Sequence, residues 1–174
     1  MALVVEDGTG LSTAESYVSV SNCGAYATKI GANFPSGESG ETTRCEQALR
    51  RATQWIDATY GARFKSYRTN PPDQALEWPR YDVWHDGRRE YLDSDALPTE
   101  IVSAACEAAI REYAKPGSLV PDTSVSGVIK RYQAGSVSIE YERSGASPSL
   151  FPKIDGLLSP LMNRSALVGR AVRG

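Results

Sequence analysis

The stretch RCEQALRRATQWIDATY, residues 44–60, decides the fold class. Ala48, Leu49, Ala52, Trp55, Ile56 and Tyr60 recur at three- and four-residue steps, which lines them along one face of an α-helix. Arg44, Arg50 and Arg51 lie largely off that stripe. Thr42 or Thr43 is placed to cap the helix, with Glu46 three residues after Thr43 in the spacing of a capping box. Gly61 offers a natural stop.

Working outward, a second helix begins near Pro98, a residue suited to the first helical position. It runs through Ile101, Val102, Ala105, Cys106, Ala109, Ile110 and Tyr113, and Lys115-Pro116-Gly117 ends it. Upstream, Ser19 or Ser21 caps a short helix over 22–30 that Gly31 closes. Downstream, Ile154, Leu157, Leu158 and Leu161 follow Pro152 at helical spacing. Val137, Ile139 and Tyr141 alternate with Ser138, Glu140 and Glu142. With residues 127–133 opposite and Ala134-Gly135 between, they spell a β-hairpin. Residues 1–13 read as an extended arm or edge strand. Residues 63–98 are irregular and rich in turn formers, Asn70-Pro71-Pro72-Asp73 above all.

The expected class is therefore mainly α within α+β: a small helical bundle with one hairpin, long loops and extended termini. A domain over 1–162 would comprise an arm (1–15), a helical core (about 19–115), the hairpin (127–142) and a short C-terminal helix (153–162). A basic tail, 163–174, carries Arg164, Arg170 and Arg173 without an acid.

Composition narrows the function. The 174 residues hold 19 Lys+Arg against 21 Asp+Glu, a net charge of −2, which excludes a binder of nucleic acid that is basic overall. No run nears the roughly 18 apolar residues of a membrane helix. The opening MALVVEDGTG lacks the positive start of a secretory signal. Cys23, Cys45 and Cys106, odd in number and widely spread, form neither a disulfide framework nor a metal knuckle, and read as small, partly buried thiols in a reducing compartment.

A search for chemistry finds no enzyme signature. His85 is the only histidine, so a multi-histidine metal site is excluded; within Trp84-His85-Asp86-Gly87 it reads as a surface or loop residue. Asp93, Asp95 and Glu100 suit the positive end of the following helix better than a cation site. Gly8-Thr9-Gly10 and Gly37-Glu38-Ser39-Gly40 lack the residues that would make them phosphate loops. No catalytic, metal or cofactor residue is expected. Between Arg44 and Lys65, five cations interleave with Trp55, Tyr60 and Phe64, and Tyr67 follows. That is the pairing used to hold single-stranded nucleic acid, although Trp55 and Tyr60 fall on the apolar stripe.

Ser16-Tyr17-Val18-Ser19-Val20, Ala48-Leu49-Arg50-Arg51-Ala52-Thr53, Trp55-Ile56-Asp57, Arg63, Gln74-Ala75-Leu76-Glu77-Trp78-Pro79-Arg80, Leu97-Pro98, Val128-Ile129-Lys130-Arg131 and Phe151-Pro152-Lys153-Ile154-Asp155-Gly156-Leu157-Leu158 form an ordered series over almost the whole chain. This series resembles a family of tailed-phage proteins labelled DnaT-like single-stranded DNA-binding protein. It is also similar to the head-tail adaptor, or connector, proteins of long-tailed phages. The adaptor resemblance implies a non-enzymatic ring of about twelve copies in the neck of a virion assembled in the host cytoplasm. Its partners would be the portal protein and a tail-side stopper or tail terminator, with genomic double-stranded DNA passing through the lumen without specific binding. It implies portal contacts for Arg164, Arg170 and Arg173. Gln74, Leu76, Trp78 and Arg80 would lie either at an inter-subunit boundary or in the core. The DnaT-like label implies instead a replication protein that binds single-stranded DNA.

Overall fold

Helix formation starts from the apolar stripe of residues 44–60. In a computed structural model, which describes residues 2–35, 40–120, 131–134, 137–140 and 151–163, this stripe belongs to α2, Thr42–Tyr60. Cys45, Ala48, Leu49, Ala52, Thr53, Ile56 and Tyr60 are buried along it. They face α3, Thr99–Ala114, which buries Ile101, Ala104, Ala105, Ala108 and Ala109. Small side chains on both helices let the backbones approach closely, so the core of this pair is tight.

The remaining helices cover this pair. α1, Val20–Lys29, starts at Ser19, whose hydroxyl accepts from the Asn22 amide at 3.1 Å, and ends before Gly31 at a φ of 70°. α4, Pro152–Leu158, continues into a 3₁₀ turn, Ser159–Leu161, and buries Ile154, Leu158 and Leu161. Tyr60 Oη donates to Asp155 Oδ1 at 2.6 Å and joins α2 to α4. Glu107 on α3 takes a hydrogen bond from Tyr26 of α1 at 2.8 Å and an ion pair from Lys153 of α4. Three helices thus converge on one buried carboxylate.

Among the described residues, three two-stranded antiparallel pairs complete the fold. β1, Tyr67–Arg68, pairs with β2, Arg80–Tyr81, and β3, Trp84–His85, with β4, Glu90–Tyr91. β5, Arg131–Ala134, pairs with β6, Val137–Glu140, in a register that sets Tyr132 against Ile139 and Ala134 against Val137. The α+β class with mainly helical content follows, and this last hairpin is the one read from alternation. Its outer residues 127–130 and 141–142, its connection at Gly135, and the basic tail with Arg164, Arg170 and Arg173 lie outside the described residues.

Several expectations change. Neither Thr42 nor Thr43 caps α2: Glu41 occupies the cap position with helical φ and ψ, so both threonines are already inside the helix. Glu46 reaches instead to Arg50 and to the Leu3 amide. Pro98 stands one residue before α3, its ψ of 141° too extended for the first turn. Gly61 does follow the last residue of α2, but with a right-handed φ of −50°, and it opens a 3₁₀ turn, Gly61–Arg63. The N-terminal arm, read as an extended arm or edge strand, turns back onto the body through a parallel bridge between Val5 and Ser16, around the buried Glu6. That carboxylate accepts from the amides of Gly8, Gly10 and Leu11 at 2.9–3.0 Å. Gly8 must be glycine here: its φ is 104°, and a methyl group would stand 2.1 Å from the Asp95 carbonyl oxygen.

Candidate nucleic-acid interface

The segment 63–98 carries more organisation than its turn-rich composition suggests. Phe64 and Trp78 are buried edge to face, centroids 5.6 Å apart, and anchor the segment to the core at its start and near its middle. Between them Gln74 is 2% exposed. Its Nε2 donates to the Leu76 and Pro79 carbonyls at 2.8 and 3.0 Å, and its Oε1 accepts from the Asn70 amide at 3.1 Å. Arg80, 7% exposed, closes the bracket. Its Nε donates to the Lys65 carbonyl at 2.9 Å, one terminal nitrogen to the Ser66 carbonyl at 2.7 Å, and the other to the carbonyl and carboxylate of Glu77. Gln74, Leu76, Trp78 and Arg80 are therefore brought together inside the chain, as a bracket that fixes β1 against β2.

That bracket decides what β1 and β2 display. Arg68 and Arg80 pair toward the body, which leaves Tyr67 and Tyr81 opposite each other and stacked, with centroids 5.8 Å apart and planes at 29°. On the next ladder Trp84 pairs with Tyr91, edge to face at 5.2 Å. Tyr67 and Tyr91 are 68% and 67% exposed, Tyr81 and Trp84 40% each. Monomeric proteins seldom leave four large rings in water without a use for them. Lys65 ties the ladders together: its ammonium donates to the Trp84 carbonyl at 2.9 Å and the Pro160 carbonyl at 2.8 Å, and pairs with Asp86 at 2.9 Å.

His85 is not a surface residue. It is 4% exposed, because β3 alternates Trp84 outward and His85 inward. Its Nδ1 accepts from the Arg88 amide at 3.0 Å, which leaves the proton on Nε2, 3.1 Å from Glu100 Oε1. Arg88 reaches the same carboxylate at 2.7 Å. Burial pushes the Glu100 carboxyl up, but its own backbone amide, Arg88 and His85 outweigh that and hold it below the ordinary range. Glu100 thus pins the β3–β4 hairpin to the start of α3. Asp93 and Asp95 stay exposed and join no such contact among the described residues.

The cation-rich run on α2 is spent internally. Arg44 pairs with Glu41 at 3.0 Å and lies over the Tyr113 ring, Arg50 pairs with Glu15 at 2.8 Å, and Arg51 with Glu112 at 2.8 Å. Trp55 is wedged edge-on between Tyr60 and Phe151, and Tyr60 is 3% exposed. Of the rings from that region singled out by sequence, only Tyr67 belongs to the exposed set. Tyr81, Trp84 and Tyr91 escaped sequence reading, although aromatics at short intervals around Asp86-Gly87, in an otherwise polar run, mark a displayed hairpin.

Cys23, Cys45 and Cys106 are buried and unbridged. Among the described residues no group of three His, Cys, Asp or Glu side chains could hold a metal ion, and no helix is long and apolar enough to cross a membrane.

No curated protein and no solved structure matches the chain. A family model does, across residues 1–174, and its description carries the DnaT-like half of the resemblance; the adaptor half rests on the sequence motifs alone. Residues 1–174 match that model from end to end, and the chain belongs to the family described as "Putative DnaT-like ssDNA binding protein".

Proposed function

We propose that this protein binds single-stranded DNA on the aromatic face formed by β1–β2 and β3–β4. The observation that carries the reading is the exposure of Tyr67, Tyr81, Trp84 and Tyr91 as two ring pairs on consecutive ladders. Tyr81 and Trp84 are three residues apart, so their Cα atoms lie within roughly 11 Å, a span that one short run of unpaired bases bridges. Unpaired bases offer π faces to such rings and a duplex does not, so stacking on the rings selects single strands. The family description points to the same ligand.

Charge sets the character of the binding. Around this face Lys65 and Arg88 are held by Asp86 and Glu100, whereas Arg63 and Arg89 are exposed. About two phosphate contacts give a salt slope near −1.4 for a single strand, far shallower than that of a basic groove. Stacking supplies most of the affinity.

The test is fluorescence anisotropy of labelled single- and double-stranded oligonucleotides with the full chain. Tyr67→Ala and Tyr91→Ala are each expected to weaken single-strand binding roughly tenfold while leaving the melting temperature nearly unchanged. Equal affinity for duplex, or insensitivity to both substitutions, would overturn the reading.

A second reading, a ring-forming head-tail connector, rests on the sequence motifs; each strand pair among the described residues, β5–β6 included, stops at two strands, which is compatible with it. A two-stranded hairpin is marginal alone and gains from a neighbouring subunit that covers it. Native mass spectrometry separates the two readings. A ring of about twelve copies that docks on purified portal and ignores oligonucleotides would favour the connector.

A further inference from the structure

A groove of about 710 Å³ opens beside Tyr67. Tyr67 lines it, and Ser66, Glu77, Arg80 and Asn163 supply its polar groups. We infer that this groove takes an unstacked base of the bound strand, selecting bases with an exocyclic amino group (cytosine, adenine, guanine) over thymine. The inference rests on the single-strand reading above and specifies what the strand must present.

The polarity of the groove carries the argument. Arg80 is the one cation among the described residues that line it. Four of its five N–H groups are engaged: one with the Lys65 carbonyl, one with the Ser66 carbonyl, and two with Glu77. It is thus committed to the bracket and is a poor clamp for a phosphate. Glu77 Oε2 accepts from Arg80 at 2.7 Å, whereas Oε1 takes no hydrogen bond among the described residues. Asn163 donates its Nδ2 to the Phe64 carbonyl at 3.3 Å, which turns its side-chain oxygen the other way. Besides the Ser66 hydroxyl, which donates as well as accepts, the groove presents acceptors, one of them on a carboxylate. With Arg80 tied to Glu77, no cation lining the groove among the described residues is left to hold a phosphate. A base that enters must offer donors, and an amino group beside a ring nitrogen does so. Thymine turns carbonyl oxygens on either side of its one N–H, and these meet the Glu77 carboxylate unfavourably.

The position of Glu77 is fixed by Gly61. A methyl group at residue 61 would stand 2.9 Å from Glu77 Cγ and 3.2 Å from Cδ, although the φ of −50° suits any residue. Glycine at the end of α2 thus serves to let this side chain lie across the helix terminus. It gives a second way to disturb the carboxylate without removing its charge.

The experiment compares dC, dA and dT oligonucleotides of equal length by anisotropy, at one salt concentration, on the full chain. Wild type is expected to bind dC and dA roughly tenfold more tightly than dT, the scale of a hydrogen bond to a charged acceptor. Glu77→Gln, which donates as well as accepts, is expected to bring dT to within about twofold of dC. Gly61→Ala, which keeps the carboxylate but displaces it, is expected to narrow the gap in the same direction. Equal affinities for the three homopolymers in wild type, with binding still lost in Tyr67→Ala, would overturn the base groove and leave the single-strand reading standing. Absence of binding to every oligonucleotide would overturn both.

Discussion

Residues 44–65 and residues 67–91 are built from the same two ingredients, cations and aromatic rings, and the fold uses them in opposite ways. On α2 the rings face inward and the cations meet carboxylates on neighbouring elements: Glu15 from the N-terminal loop, Glu112 from α3 and Glu41 at the helix start. On β1 to β3 the polar residue turns inward, with His85 and Arg80 buried and Arg68 half-buried, and the ring turns outward. The difference lies in periodicity. A helix with one apolar stripe collects its aromatics on the core side, whereas a two-residue strand shows every second residue to water. A cluster of Arg and Trp in a sequence therefore says little about a nucleic-acid surface until the local period is known.

The largest test of that contrast is a pair of tryptophans. Trp78 is fully buried against Phe64, and Trp84 is 40% exposed beside Tyr91. Trp78→Ala is expected to cost about 3–5 kcal/mol in urea unfolding, because the cavity is left inside the bracket that supports both ladders. Trp84→Ala is expected to cost under about 1 kcal/mol of stability and yet lower single-strand affinity roughly tenfold. If the two substitutions lose stability alike, the ladders belong to the core and the display argument breaks.

A pH measurement sharpens the same boundary from the inside. Asp57 on α2 accepts a hydrogen bond from Tyr17 and, at 3.2 Å, from the Glu77 amide, so it joins the helix to the bracket. Burial pushes its carboxyl up to about 6, with the Glu77 carboxylate adding to the rise, against the opposing Tyr17, Glu77 amide and Arg80. A carboxyl raised in the folded state holds its proton longer than in the unfolded chain. Its contribution is therefore full below about pH 4 and is lost as the pH rises to about 6. The loss is about 2 kcal/mol, below the full linkage value because part of Asp57 stays in water. Asp57→Asn is expected to flatten urea midpoints across that window, and an unchanged slope would mean that another group titrates there. Glu112 works the other way. Burial raises its carboxyl, but the amides of Gly117 and Leu119 with Arg51 outweigh that and hold it below the ordinary range, so its contribution is lost as pH falls.

Much of the helical frame was legible because its signals are long. Sixteen to nineteen residues of regular spacing give α2 and α3, and a serine followed by an apolar run gives α1. The candidate site was legible only in part. β1 to β4 are two residues each, too short for alternation to rise above turn composition, and β1 finds its partner across the Gln74–Arg80 bracket, not through a tight turn. His85 was misread for the same reason: beside Asp86-Gly87 it looks like loop chemistry, and only the pairing of Trp84 with Tyr91 turns it inward. In the arm, nothing local in the sequence reveals that Glu6 collects three amides.

The smallest expected effect is the one that tests the silence of α2. Arg44 and Arg50 are each held by carboxylates, and the Arg50 guanidinium keeps the Glu15 carboxyl below its ordinary range through their hydrogen bond. Arg44→Gln and Arg50→Gln are therefore expected to change single-strand affinity by less than about twofold and to leave the salt slope near its wild-type value. Arg63→Gln, next to the ladders, exposed over the Tyr60 ring and paired with no carboxylate among the described residues, is expected to reduce the steepness of the slope by about 0.7, the share of one phosphate contact. A cation already satisfied by the fold releases no counterion when DNA arrives, so its removal leaves the slope alone. A cation in water releases one. If Arg44→Gln or Arg50→Gln flattened the slope as much as Arg63→Gln, those ion pairs would have to open on binding, and the helix run would join the interface instead of standing apart from it.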